Sequence, residues 1–180
     1  MPLLRRCNRI ITVCVALWCA AVNFPSRVLG VAVLLAALLA APAGAPAKSN
    51  ADRLWATVNV CDGPNDRIGI RGSMPGSGKK GDMFMRFRVQ WWTGDTWRMV
   101  KGADSGFLRA GSSRYKVRQA GVTFTITPEQ NGTRLRGYVN FQWREDGEVV
   151  QRAKEVTERG HQSARGADPP GYTAEECSIY

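Results

Sequence analysis

Residues 84 to 92, FMRFRVQWW, alternate apolar and polar side chains almost one by one, and residues 135 to 144, LRGYVNFQWR, do so again. A repeat of two belongs to a β-strand, whose successive side chains point to opposite faces; a helix would need 3.6. Each stretch therefore predicts a strand with one buried side and one wet side. On the first, Met85, Phe87, Val89 and Trp91 form the apolar side, with Trp97 and Trp143 expected to pack against them. Phe84, Arg86, Arg88, Gln90 and Trp92 lie opposite. On the second, Leu135, Val139, Phe141 and Trp143 share the apolar side, leaving Arg134, Arg136, Tyr138, Asn140, Gln142 and Arg144 on the other.

Further strands are expected in LWATVNVC (54–61), WRMV (97–100), YKV (115–117), GVTFTITP (121–128), VVQRAKEVT (149–157) and CSIY (177–180). The stretches 62–82, where Gly, Pro, Asp and Lys crowd around one IGI, and 101–114 read as loops, as does the tail 158–176. Asn131-Gly132 and Asp146-Gly147 are hairpin turns, because both supply the positive φ angles a two-residue turn needs. The second creates a conflict: a plain two-residue turn there sets Arg152 opposite Phe141, on the core side. A bulge, or an edge strand whose basic residues reach past the core, would resolve it. No helical period persists beyond residue 47. About seven short strands with Gly-rich turns predict an all-β, antiparallel sandwich, with a barrel as the competitor.

The N-terminus is of another kind. Residues 1–47 carry Arg5, Arg6, Arg9 and Arg27 but no acidic residue. Residues 28–47 combine a preceding basic residue, an apolar run and Ala45-Pro46-Ala47, the three parts of a helical secretory signal. The expected division is a leader at 1–47 with its signal core at 28–47, a linker at 48–53, and a sandwich domain at 54–180. Neither apolar run of the leader reaches the roughly 20 residues that span a bilayer comfortably. The first 27 residues are either an unusually long leader or lie upstream of a true start near Val28; an uncleaved membrane anchor is the third reading. Export to the cell envelope or beyond is the expectation.

Cysteine usage agrees with that division. Cys7, Cys14 and Cys19 precede residue 48 and only Cys61 and Cys177 follow it, an even pair that in an exported chain reads as a disulfide. Closing a loop of this length is worth about 4 to 5 kcal/mol by chain entropy, less any strain. Of the 25 basic residues, four lie in the leader, so the remainder carries 21 against 15 acidic ones, a net charge of +6. For an exported chain this favours acidic polymers or anionic head groups over nucleic acid.

The segments VCD, GIRGSMPG, MFMRFRVQWW and YVNFQWREDGEVV, with the closing Cys, resemble a group of uncharacterised exported bacterial proteins with an immunoglobulin-like or fibronectin type III-like sandwich. The likeness runs over nearly all of residues 54–180 and implies that fold; it implies no activity. Cys61 and Cys177 depart from immunoglobulin domains, whose disulfide joins two facing core strands. Here the bond would staple the two ends of the domain.

Catalytic chemistry finds little support. His161 is the single histidine, in a Gly-rich stretch, and no G-x-S-x-G accompanies it. Ser77 and Lys80 have S-x-x-K spacing, but MPGSGKKGD does not start a helix. The same loop misses the phosphate-loop pattern, with Ser73 and Lys80 where Gly and Ser/Thr are required. It could still contact an anion through backbone amides. Glu145, Asp146 and Glu148 share one hairpin tip instead of flanking a cleft about 5 to 10 Å wide, and Asp95 and Asp104 read as turn residues. No cofactor and no His/Cys metal site is expected.

There remains the polar face. If the two alternating strands are neighbours, Arg86, Arg88, Gln90, Trp92, Arg136, Tyr138, Asn140, Gln142 and Arg144 merge into one surface. Guanidiniums among flat rings and amides suit sugar rings and anionic groups. The expectation is a non-catalytic module that binds an acidic or sugar-bearing envelope polymer, or a protein, through this face. The competing readings are a hydrolase of wall polymers and a purely structural domain with no ligand.

Overall fold

A computed structural model describes residues 51–127 and 133–180. Among them lie eight strands: β1 Trp55–Asp62, β2 Arg67–Pro75, β3 Asp82–Trp92, β4 Trp97–Ser112, β5 Val117–Thr125, β6 Thr133–Glu145, β7 Glu148–Val156 and β8 Glu176–Ile179. They form two antiparallel sheets, ordered β1-β2-β5 and β4-β3-β6-β7. Strand β6 pairs with β3 along one edge and shares its other edge between β8, at 133–136, and β7, at 138–145. The predicted leader, its signal helix and the Asn131-Gly132 turn lie outside the described residues.

The period-two reading of β3 and β6 matches the observed packing as far as Val89; at the end of β3 Gln90, expected on the wet side, is buried under its neighbours, and Trp91, expected in the core, is only partly buried. Met83, Met85, Phe87 and Val89 are fully buried, as are Leu135, Val139 and Phe141. Register sets Met85 beside Phe141 and Phe87 beside Val139. Ile68, Ile70 and Met74 of β2 and Ala56 and Val58 of β1 join the same core from the other sheet. Large side chains of this kind contribute roughly 1.5 to 3 kcal/mol each on burial. The sheets meet closely at two glycines. A Cβ on Gly72 would sit 3.1 Å from Met85 Sδ and 3.3 Å from the Phe141 ring. On Gly137 it would sit 2.8 Å from Ile70 Cγ2, so that isoleucine fills the notch the missing side chain leaves.

Two of the expected loops are strands. Residues 67–75 pair with both β1 and β5, Ile68 and Ile70 facing the core while Gly69 and Arg71 point away. Residues 101–112 continue β4 along β3 through three register shifts. Gly102, Gly106 and Gly111 have φ of 82°, 64° and 139°, so the strand bulges repeatedly and loses the alternation that reveals β3. Asp104, expected in a turn, lies within it. The Asp146-Gly147 turn has φ of 48° and 89° and joins Glu145 directly to Glu148. A bulge between Trp143 and Arg144 then pairs Phe141 with Ala153 and Gln142 with Arg152, which keeps Arg152 on the solvent side.

Cys61 and Cys177 are bonded, with Cα atoms 5.4 Å apart, and link β1 of one sheet to β8 of the other. The segment between β7 and β8 forms a strap along the free edge of β1. Glu158 N donates to Ala56 O at 2.9 Å, Asp168 N to Asn59 O at 2.9 Å, and Val58 and Ala174 exchange both backbone bonds. On the side of β1 away from the core, Thr57 Oγ1 donates to Glu158 O at 2.7 Å, and Asn59 Nδ2 donates to Gly166 O at 2.8 Å. Trp55 to Asn59 are consequently buried on both faces. An edge so covered cannot recruit a foreign strand. No helix among the described residues is long and apolar enough to cross a membrane.

Candidate recognition face

The outward residues of β3 and β6 lie in register: Arg86 beside Asn140, Arg88 beside Tyr138, and Gln90 beside Arg136. Trp92 ends the row on β3, while Gln142 and Arg144 continue it on β6 opposite Phe84 and Asp82. All nine residues singled out from the sequence thus share one face.

Their side chains are interleaved and fixed. The Arg88 guanidinium stands 4.9 Å over the Tyr138 ring and donates from Nη2 to Asn140 Oδ1 at 2.5 Å. Arg136 stands 4.2 Å over Trp97 and donates from Nε to Gln90 Oε1 at 2.8 Å. Arg144 covers Phe84 at 4.1 Å and donates to Gln142 Oε1 at 2.7 and 3.0 Å. Arg86 is paired with Asp104 on β4. Trp92 and Trp97 lie 5.3 Å apart with Arg134 near both, itself bonded to Glu176.

Four members were not legible as such. Trp97, expected in the core, lies half-buried on the outer face under Arg136, because the 93–96 turn brings it back beside Trp92. Phe107 falls in a stretch read as loop, although its ring is 5.5 Å from Arg144. Phe84 and Arg134 were already on the polar side of the alternation, a signal that could have included them. Trp143 is buried as expected and donates from Nε1 to Pro75 O at 2.8 Å.

Charge is unevenly compensated across the face. The Arg86 guanidinium holds the Asp104 carboxyl below the usual carboxylate range, assisted by a backbone bond from Gly106. Arg109 does the same for Asp82. Arg88, Arg136 and Arg144 form no ion pair among the described residues, and burial pushes Arg136 down. The row opens at one end into a groove of about 420 Å³ whose charged lining is mixed, with Lys80, Arg109, Arg114 and Arg144 beside Asp82 and Asp146. The basic loop beside it is clamped by its backbone: Gly78 N donates to Ser113 O, and Ser113 Oγ to Lys79 O.

His161 is not freely solvated; its ring stacks 4.4 Å from Trp55 at 11° and its Nε2 lies 2.8 Å from Glu158 Oε1. Among the described residues no cluster of three His, Cys, Asp or Glu could hold a metal ion. No protein-family model, curated protein or solved structure matches the chain.

Proposed function

We propose that the chain is an exported, non-catalytic module with an immunoglobulin-like sandwich, and that it binds an acidic or sugar-bearing partner at the envelope through the Arg-aromatic face. The strand order supports this classification. Numbered as in an immunoglobulin domain, the second strand lies beside the fifth, the third beside the sixth, and the sixth beside the seventh. The fourth strand extends the second sheet. The disulfide is compatible with an oxidising compartment.

One observation carries the binding reading: Arg88, Arg136 and Arg144 are each held by a ring and an amide yet make no ion pair among the described residues. Donors held in place before binding lose little freedom when an anion arrives, so most of the interaction energy is retained. Flat rings beside them offer stacking to sugars.

The test is titration of the full chain with polygalacturonate, with neutral dextran as control. Polygalacturonate should bind and weaken steeply as salt shortens the screening length from about 10 Å to about 3 Å. Replacing Arg88, Arg136 and Arg144 together by Gln should lower affinity at least about tenfold, some 1.4 kcal/mol. Equal binding to dextran, or an unaltered triple variant, would defeat the reading.

A further inference from the structure

Arg71 lies mid-strand in β2 on the side of its sheet turned away from the core, paired with Thr57 on β1 and Gly121 on β5. Its guanidinium is half-buried between the sheet and the strap. A Cβ on Gly121 would fall 2.9 Å from Arg71 Nε, and one on Gly166 would fall 2.9 Å from Nη2. Two glycines on separate segments therefore make the space that this cation occupies.

No acceptor meets it there. Nε is buried without a hydrogen-bond partner, and the group forms no ion pair among the described residues. Asn59 and Gln119 point their amide nitrogens at strap carbonyls, those of Gly166 and Ser163. The charge acting on Arg71 is another cation, Arg165; burial first and then that charge hold its pKa below the ordinary arginine value. A buried N–H donor of a charged group is ordinarily given an acceptor, because leaving that bond unmade is costly. Gly166 of the strap lies against Arg71 Nη2, so the preceding residue, Arg165, brings a second positive charge to the same region.

We propose that Arg71 and Arg165 form a binding site for an oxyanion, a carboxylate, phosphate or sulfate group, on the outer face of the β1-β2-β5 sheet. The planar Arg71 fork presents two parallel N–H donors to such a group. Arg165 adds the second charge from the strap, so an occupied site ties the strap to the sheet and stabilises the folded chain by mass action. This site lies on the sheet opposite the Arg-aromatic face and does not rest on the function proposed for that face.

The test follows the arginine Nε–Hε resonances of the full chain by NMR while sodium acetate, phosphate or sulfate is added, with ionic strength held constant by chloride. At least one of the three should move the Arg71 signal to saturation. Arg165→Gln, at an exposed position, should weaken that binding about fivefold or more, and Arg71→Lys, which keeps charge but loses the fork, about tenfold. Arg136→Gln with Arg144→Gln should leave the titration unchanged, which separates this site from the other face. Non-saturating responses to all three anions, or saturable binding indifferent to Arg165→Gln, would overturn the proposal. Should Arg71→Lys fold poorly, the Arg165 variant decides alone.

Discussion

The Arg136 guanidinium stands 4.2 Å over the ring of Trp97 while its Nε donates to Gln90 at 2.8 Å. Cation and ring come from β6 and β4, on either side of β3, and so lock three neighbouring strands across their outer face. A double-mutant cycle of Arg136→Gln and Trp97→Leu should give a coupling of about 0.5 to 2 kcal/mol in urea unfolding, the upper end reflecting the partial burial of Arg136. Additive single effects would show that the stack contributes shape alone.

The Arg86–Asp104 pair gives stability a pH dependence of known sign. Asp104 has a folded pKa below its unfolded value, chiefly through its bond to Arg86. The contribution is therefore complete above the unfolded carboxylate range, near about pH 4, and disappears as pH falls through the lower folded value. Asp104→Asn should flatten the acid limb of a stability–pH curve, and added salt should shrink the difference because the pair is partly exposed. An acid limb of unchanged slope would exclude the pair as its source.

Gly137 marks the closest approach between β6 and its surroundings, where a Cβ would lie 2.6 Å from Thr157 Cγ2 and 2.8 Å from Ile70 Cγ2. Gly137→Ala should cost about 1 to 3 kcal/mol by overpacking. Thr157→Ser removes the nearer methyl but keeps the hydroxyl that accepts from Gly137 N at 3.0 Å. In the Gly137→Ala background it should recover part of the loss. No recovery in thermal melts would place the strain at Ile70.

The Cys61–Cys177 bond closes a separation of 116 residues. Replacing both cysteines by Ser should lower unfolding free energy by about 2 to 5 kcal/mol. Guanidinium titration of the double variant, compared with the parent before and after reduction, measures it. A loss reproduced fully by reduction ties the effect to the bond and not to the serines.

Asn59 joins the strap to β1 through two carbonyls, those of Gly166 and Arg165. Asn59→Ala leaves both without this donor at a part-buried position, a cost of about 0.5 to 1.5 kcal/mol. Hydrogen exchange should accelerate first at the backbone amides of Ala174 and Asp168, which bond to β1. Uniform acceleration across the domain would instead mean that the strap opens only with global unfolding.

Strands β3 and β6 could be read from the chain because each is central, with one face buried along most of its length, which imposes a repeat of two. The Cys61–Cys177 pairing was legible from there being two cysteines after residue 47, read with the expectation of export, and the bulge before the Asp146-Gly147 turn was one of the two remedies its register conflict allowed. Beyond residue 100 strand β4 left no such trace, since an edge strand with three bulging glycines has no continuous buried face to alternate against. Strand β2 was hidden by glycines at 69 and 72, placed where the opposing side chains leave no room.

By its own order of residues, then, the sequence determined an all-β fold for the described residues, a two-sided central pair of strands and one face for nine chosen side chains. Which ring lies under which guanidinium was decided by the fold alone. Arg136 and Gln90 are 46 residues apart, and Arg88 and Asn140 are 52; contacts at that distance depend on strand order and register, which local periodicity does not encode. The setting of Arg71 is likewise a tertiary fact, because only the folding of the strap over β2 half-buries that cation with no ion-pair partner among the described residues.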